Sequence, residues 1–266
     1  MRRLALPLGA LVAAALLVAV LAGAAPDPPA RAGTGGTLLL ELFTSQGCSS
    51  CPPADRLLAE LAADPRLADR VFPLAFHVDY WNHIGWTDPF SSAAWSARQR
   101  RYARALGDDR VYTPQLVVDG AGHLVGSRQA EVRRRVEREL ASPDAAGVTL
   151  AVEQVAGDRL RVVVSARRRG APTGPPLVAW AALYEDALRT PVGRGENAGR
   201  HLANERVVRA LARLFAMPAG SAEGRGGTVM EIGPAWRREE LGVVAFLQDP
   251  ADLRVHGAAG RRVTQR

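Results

Sequence analysis

Two cysteines, the only ones in the chain, lie between a predicted strand and a predicted helix, and this arrangement limits the possible folds more than any other feature. A short apolar run, 38–43, and a few turn residues precede Cys48, and apolar residues recur at helical spacing after Cys51, from Leu57 to Leu61. Unpaired backbone N–H groups and the helix dipole favour a thiolate at the start of a helix. The pattern predicts a redox-active pair in which Cys48 is the exposed nucleophile and Cys51 the shielded resolving thiol.

Two structural roles are alternatives to a redox role for this pair. A zinc site would need a second pair of cysteines or suitably spaced histidines, and neither follows in the sequence. A purely structural disulfide is possible, but a loop closed over three residues removes little entropy from the unfolded chain. The spacing therefore favours a redox-active dithiol over either alternative.

The first residues have the composition of an export signal. Arg2 and Arg3 precede a long apolar stretch and a small-residue cleavage site, which predicts a signal peptide over 1–24. The apolar stretch is also near the minimum length of a membrane span, so an uncleaved anchor is the alternative. A disordered spacer is predicted over 25–36. We expect a periplasmic or secreted protein, in a compartment where a disulfide persists.

The charged residues limit the partners. The formal net charge is +7 and falls to +5 when the two signal-peptide arginines are removed, and every Lys or Arg position is arginine. Lysine chemistry is therefore excluded. The arginine runs 133–135 and 167–169 have no interleaved aromatic residues, so a solvated surface is favoured over a nucleic-acid site.

The order of predicted elements indicates the fold class. A strand, helix, strand, helix, strand pair and helix follow one another over 37–145, which predicts an α/β thioredoxin-like domain. Thr113–Pro114 lies at the threshold of the third strand, where a cis peptide would present backbone groups to an extended substrate. Short alternating segments over 146–266 predict a smaller, mostly β, sandwich-like domain. The polar, glycine-rich stretch 193–202 is interpreted as a long connection.

The loop after the second predicted strand is rich in aromatic residues. Tyr80, Trp81 and Trp86 are expected to lie beside the dithiol and shape a substrate groove, because the carboxyl ends of neighbouring parallel strands share an edge. The alternative is that the two tryptophans only pack the loop onto the body of the protein. Asp79, the first residue of this loop, is the predicted general base for Cys51.

The chain resembles an uncharacterised bacterial family of exported thioredoxin-like proteins, catalogued as a domain of unknown function. The resemblance rests on motifs spread over most of the chain, namely 41–55 with both cysteines, 77–82, 85–86, 88–90, 112–115, 195–200 and 243–249. It implies a thioredoxin-like fold followed by a β-rich domain, with no agreed substrate. It therefore supports the fold more than the function.

Three functions compete. The first is an exported thiol–disulfide oxidoreductase that uses Cys48, Cys51, Pro114 and Asp79, needs no cofactor or metal, and exchanges electrons with protein thiols or disulfides in the envelope and with a redox partner protein. No nucleic acid is expected, and a membrane only if the N-terminal segment is retained. The second is a copper-handling protein in which His77 or His83 joins the cysteines. The third is a non-catalytic binding protein built on the same scaffold.

Overall fold

The computed structural model describes residues 36–155 and 157–263. The predicted signal peptide, 1–24, lies outside these residues, as does the predicted spacer except for its last residue. Among the helices of the described part, none has the length and apolar character needed to cross a membrane.

Thirteen strands and three α-helices form within the described residues. The helices are α1 (Pro52–Ala63), α2 (Ala93–Ala105) and α3 (Gln129–Leu140). The strands are β1 (Leu38–Thr44), β2 (Val71–His77), β3 (Gln115–Val118), β4 (Gly122–Val125), β5 (Ala146–Val155), β6 (Arg159–Arg168), β7 (Leu177–Glu185), β8 (Leu188–Pro191), β9 (His201–Asn204), β10 (Val207–Met217), β11 (Glu223–Glu231), β12 (Leu241–Gln248) and β13 (Val255–Arg262).

The local predictions for the helices are confirmed. The periodicity that predicts α3 buries Val132, Val136 and Leu140 along one face. Ser92, at the N-terminal cap of α2, accepts a hydrogen bond from the backbone N–H of Ala94. These elements follow from local spacing and capping, which the sequence shows directly.

Eight of the strands form one sheet, in the order β13-β12-β7-β10-β2-β1-β3-β4. β1 is parallel to β2 and antiparallel to β3, and β3 is antiparallel to β4. β10 joins the other side of β2 in parallel, where Val207 is opposite Ala75 and the N–H of Ala75 donates to the carbonyl of Arg206 at 2.8 Å. A separate sheet has the order β11-β6-β5, and β8 and β9 form a hairpin.

The predicted fold class, an α/β thioredoxin-like domain followed by a smaller mostly-β domain, is wrong. The protein is mostly β, and its large mixed sheet runs without interruption from strands of the N-terminal half to strands of the C-terminal half. The physical reason is the pairing of β10 with β2, which covers an edge that the prediction left open. β7, β10, β12 and β13 therefore extend the first sheet instead of forming a second unit.

The core lies on both faces of the large sheet. Alternate residues of β1 point to opposite faces: Leu40 packs with α1 and α3, while Leu39 packs with α2. At the other end of the sheet, Leu183 of β7 and Val243 of β12 pack against the three-stranded sheet. Layers on each face thus hold β1 and the loop that follows it in a fixed position.

A buried polar network joins β1, α2 and β12. Arg98 Nε of α2 donates to Glu41 Oε1 of β1 at 2.6 Å, and both side chains are almost fully buried. The Tyr102 hydroxyl donates to the second oxygen of Glu41 and accepts from Gln248 Nε2 at 2.8 Å. The network fixes α2 against the middle of β1, the strand that leads into the cysteine loop.

Candidate functional site

The two cysteines form a disulfide in the loop between β1 and α1. Cys51 immediately precedes Pro52, the first residue of α1, and the N–H of Cys51 donates to the carbonyl of Cys48 at 3.2 Å. Both cysteines are fully buried, whereas Ser49 and Ser50 between them are exposed. The pairing is as predicted, but the expectation of an exposed Cys48 is wrong.

A segment from the C-terminal half is hydrogen bonded to the backbone of this loop. We call residues 192–200 the capping segment. Its Asn197 is fully buried and donates through Nδ2 to the carbonyl of Gln46 at 2.9 Å and to the carbonyl of Cys48 at 3.0 Å. Glu196 Oε2 accepts from the N–H of Ser49 at 3.0 Å. The stretch interpreted as a connection therefore belongs to the site, and its Gly-Glu-Asn-Ala-Gly composition was the available signal.

Gln46 ties the β8–β9 hairpin to the cysteine loop. Its Nε2 donates to Thr190 Oγ1 of β8 and to Asn204 Oδ1 of β9, both at 2.9 Å. Its Oε1 accepts from Trp86 Nε1 at 3.2 Å. One buried side chain thus holds the hairpin from which the capping segment extends, together with the aromatic loop.

A buried ion pair lies under the loop. His77 Nδ1 is 2.7 Å from Asp88 Oδ2, and both side chains have no exposed surface. The same carboxylate oxygen accepts from the backbone N–H of Gln46 at 2.8 Å. Burial opposes the charge on His77, but the charge and hydrogen bond of Asp88 raise the pKa of His77 above its ordinary value. Burial also opposes the charge on Asp88, but His77 holds the pKa of Asp88 below its ordinary value.

Asp55 is a second buried carboxyl group, one helical turn after Cys51. The Thr44 hydroxyl, at the end of β1, donates to Asp55 Oδ1 at 2.8 Å, and the N–H of Asp55 donates to the carbonyl of Cys51 at 3.1 Å. Helical side chains lean toward the N-terminus, so this carboxyl group lies on the same face as Cys51 and leans toward it. Burial raises the pKa of Asp55 to about 6, against the opposing charge of His77. Sequence reasoning missed Asp55, although its spacing from Cys51 was the signal.

The Thr113–Pro114 peptide bond is cis, as predicted. The carbonyl of Pro114 accepts from the N–H of Gly126 at 3.0 Å. A Cβ atom placed on Gly126 would lie 3.2 Å from Ala54 Cβ in α1 and 3.6 Å from Pro114 Cβ. Pro114 therefore lies across Gly126 from the first turn of α1, on the side of the sheet where the cysteine loop emerges.

The aromatic loop, which follows β2, contacts the cysteine loop between β1 and α1. It also contacts the loop that carries Thr113 and Pro114 before β3, here called the proline loop. Trp81 Nε1 donates to Thr113 Oγ1 at 2.8 Å, and Trp81 Cβ is 3.1 Å from the position that a Cβ of Gly47 would take. The Tyr80 hydroxyl points to α2 instead and donates to Gln99 Oε1 at 3.1 Å. The structure thus brings Trp81 and Thr113 together beside the dithiol, and the groove role of these residues stays a prediction.

Asp79, the predicted general base, is hydrogen bonded to α2. Asp79 Oδ1 accepts a hydrogen bond from Ser96 Oγ at 2.5 Å, and the backbone N–H of Asp79 donates to Ser96 Oγ at 3.1 Å. Its role toward Cys51 stays a prediction. For the copper hypothesis, His83 is exposed, and no cluster of three or more His, Cys, Asp or Glu suited to a metal ion occurs in the part of the chain that the structure describes.

A comparison with family models identifies the chain. The model described as "Protein of unknown function (DUF1223)" matches residues 39–248, which is most of the sequence and includes both cysteines and the capping segment. The chain belongs to the DUF1223 family. The expected membership of a family of unknown function is thereby confirmed, and DUF1223 carries no assigned activity. None of the curated proteins compared with the chain matches it.

Two solved structures are similar to this DUF1223 protein over most of its length. Protein AGR_C_4864 from Agrobacterium tumefaciens is 26% identical, with a TM-score of 0.65, and the match covers 89% of this chain and 97% of that one. HBP35 of Porphyromonas gingivalis is 15% identical, with a TM-score of 0.61, over 89% of this chain and 80% of that one. At that identity the second match shows the fold alone.

Proposed function

We propose that this DUF1223 protein is an exported thiol–disulfide oxidoreductase that acts through Cys48 and Cys51. The observation that carries the proposal is the Cys48–Cys51 disulfide immediately before α1, with the buried carboxyl of Asp55 one turn below it. A helix start stabilises a thiolate, and a buried carboxyl group with a pKa near neutrality accepts and returns protons readily. Export, inferred from the sequence of residues 1–24, would place the pair where disulfides persist.

The reaction proceeds through a mixed disulfide. The Cys48 thiolate attacks one sulfur of a substrate disulfide, which forms a bond between Cys48 and the substrate and releases the other sulfur as a thiolate. Cys51 then attacks the Cys48 sulfur, which restores the Cys48–Cys51 disulfide and releases the second substrate sulfur. Two electrons and two protons pass to the substrate. A redox partner protein in the envelope returns the pair to the dithiol.

Proton transfer is the step in which Asp55 acts. Cys51 must lose its proton as it attacks, and Asp55 is the buried carboxyl group on its face of α1. Burial raises the pKa of Asp55 to about 6, so this carboxyl is ionised at neutral pH and is a stronger base than a solvated aspartate. Asp79, hydrogen bonded to Ser96, is the competing acceptor predicted from the sequence, and variants of the two residues separate the roles.

A substrate must displace part of the cover before it reaches Cys48. Both cysteines are fully buried, and three hydrogen bonds join the capping segment to the loop. An extended polypeptide would then lie along Thr113–Pro114, with Trp81 and Trp86 beside it. Proteins carrying thiols or disulfides are therefore the proposed substrates.

The test uses the mature full-length protein. Its free thiols are titrated before and after reduction, reduction of insulin is followed, and the Cys51→Ser variant is mixed with a disulfide-containing protein. We expect two thiols only after reduction, turnover that is lost in Cys48→Ser, and a trapped mixed disulfide in Cys51→Ser. In a protein that keeps both cysteines, Asp55→Asn should slow the attack of Cys51 that resolves the mixed disulfide. An insulin reduction rate that is the same with and without Cys48 would sink the proposal.

A further inference from the structure

The capping segment places one negative charge beside the nucleophilic cysteine. Glu196 is the only acidic residue in 192–200, its side chain is exposed, and its carboxylate accepts the N–H of Ser49, the residue that follows Cys48. Hydrogen bonds from the Ser49 side chain and backbone lower the pKa of Glu196, so the carboxylate is charged at neutral pH. A charged carboxylate is thus hydrogen bonded to the backbone N–H next to Cys48, in the loop that leads into α1.

Such a carboxylate affects the two redox states of the pair unequally. The disulfide is neutral, but the reduced pair carries a negative charge whenever Cys48 is a thiolate. Backbone N–H groups between the strand and α1 are the groups available to stabilise that charge. Glu196 accepts the hydrogen bond of the Ser49 N–H and so places a like charge against the residue that follows Cys48, and like charges disfavour ionisation of a neighbouring group. The reduced form is therefore raised in energy relative to the disulfide.

We propose that Glu196 of the capping segment biases the Cys48–Cys51 pair toward its disulfide, so that the reduced protein donates electrons to substrate disulfides rather than oxidising thiols. This direction of transfer rests on the proposed function. In the balanced reaction the Cys48 and Cys51 thiols become one disulfide, and one substrate disulfide becomes two thiols, with two electrons and two protons transferred.

The other charged groups near the loop leave this effect in place. His77 and Asp88 are opposite charges in direct contact, so their fields largely cancel at a distance. Arg194 and Arg200 flank Glu196 in the sequence and are exposed, so solvent screens their charges as it partly screens that of Glu196. Asp55 adds a second negative charge on the side of Cys51. Glu196 is the group among these whose carboxylate hydrogen bonds to the backbone between the two cysteines.

The experiment measures the redox equilibrium of the full mature chain against glutathione. Wild type is compared with Glu196→Gln, which keeps an oxygen acceptor for the Ser49 N–H but removes the charge, and with Glu196→Ala, which removes both. Glu153→Gln, an exposed glutamate on β5, is the matched control. We expect Glu196→Gln to lower the equilibrium constant for disulfide formation about three- to tenfold, as expected for a partly screened charge held against the backbone next to Cys48, with Glu153→Gln unchanged.

Two further readouts separate a charge effect from a purely structural one. The pKa of the Cys48 thiol, from alkylation across pH, should fall in Glu196→Gln. The difference from wild type should shrink in about 1 M NaCl, where the Debye length is about 3 Å. A redox equilibrium in Glu196→Gln equal to that of wild type, or shifted toward the disulfide, would overturn this inference alone. If the wild-type disulfide does not exchange with glutathione at all, the proposed function itself fails.

Discussion

Asp55→Asn should make the protein more stable at neutral pH while it slows catalysis. Burial raises the pKa of this carboxyl from 3.8 to about 6, which means that the fold holds the ionised form at an energetic cost. The difference corresponds to about 3 kcal/mol at 1.36 kcal/mol for each tenfold change. An asparagine retains an oxygen for the Thr44 hydroxyl and carries no charge to bury.

The sign of the pH dependence follows from proton binding. Between about pH 4 and pH 6 the folded protein holds a proton on Asp55 that the unfolded chain has released, so wild-type stability falls as pH rises through this range. The variant lacks this loss. Its advantage should be near zero at about pH 3.5, below both values, and approach about 3 kcal/mol above about pH 7. His77, Asp88 and Arg56 are the charged groups that act on Asp55, and they are the same in both proteins.

Urea unfolding of the oxidised proteins at several pH values measures this difference directly. Asp69→Asn, at an exposed position after α1, is the control and should follow the wild-type pH profile. A gain in stability that is equal at acidic and neutral pH would refute the argument, because the cost of burying a charge would then not be its origin. A variant that is less stable at every pH would refute it as well.

Three further variants test the contacts of the site. Asn197→Ala leaves two loop carbonyls without their donor, so it should cost about 1–3 kcal/mol in urea unfolding and speed reduction of the Cys48 disulfide by dithiothreitol; an unchanged reduction rate would rule out the capping role. Trp81→Phe removes the hydrogen bond to the proline loop and should slow turnover of folded protein substrates more than of a small disulfide, whereas equal losses would argue for packing alone. Arg98→Met leaves the Glu41 carboxylate buried without its cation and should cost about 3–5 kcal/mol in urea unfolding; a loss below about 1 kcal/mol would contradict this.

Local patterns were enough to predict the elements that surround the dithiol. The last helix predicted within 37–145, which is α3, and the cis Thr113–Pro114 peptide were predicted correctly, because spacing and proline position are visible within a few residues. The disulfide followed from a three-residue separation. These features need no knowledge of which distant segments meet.

Pairings between distant segments could not be predicted in the same way. Val207 is far from Ala75 in sequence, and nothing in the alternation of either strand specifies that they become neighbours. The same limit hid the role of Asn197, whose partners are backbone carbonyls, which every residue has. Asp55 was a different kind of omission, since its place on the face of α1 shared with Cys51 was readable from the sequence.

Because the large sheet contains strands from both halves of the chain, the N-terminal half that carries the cysteine loop cannot be isolated as a folded fragment. A fragment cut after residue 145 would end before β10 and leave β2 as a bare edge strand, with unpaired N–H and carbonyl groups open to other chains. It would also lack Asn197 and the hairpin held by Gln46. Such a fragment should aggregate rather than act as a minimal enzyme. The C-terminal half therefore protects the N-terminal half from aggregation, because it pairs with the edge of β2 and holds the cysteine loop.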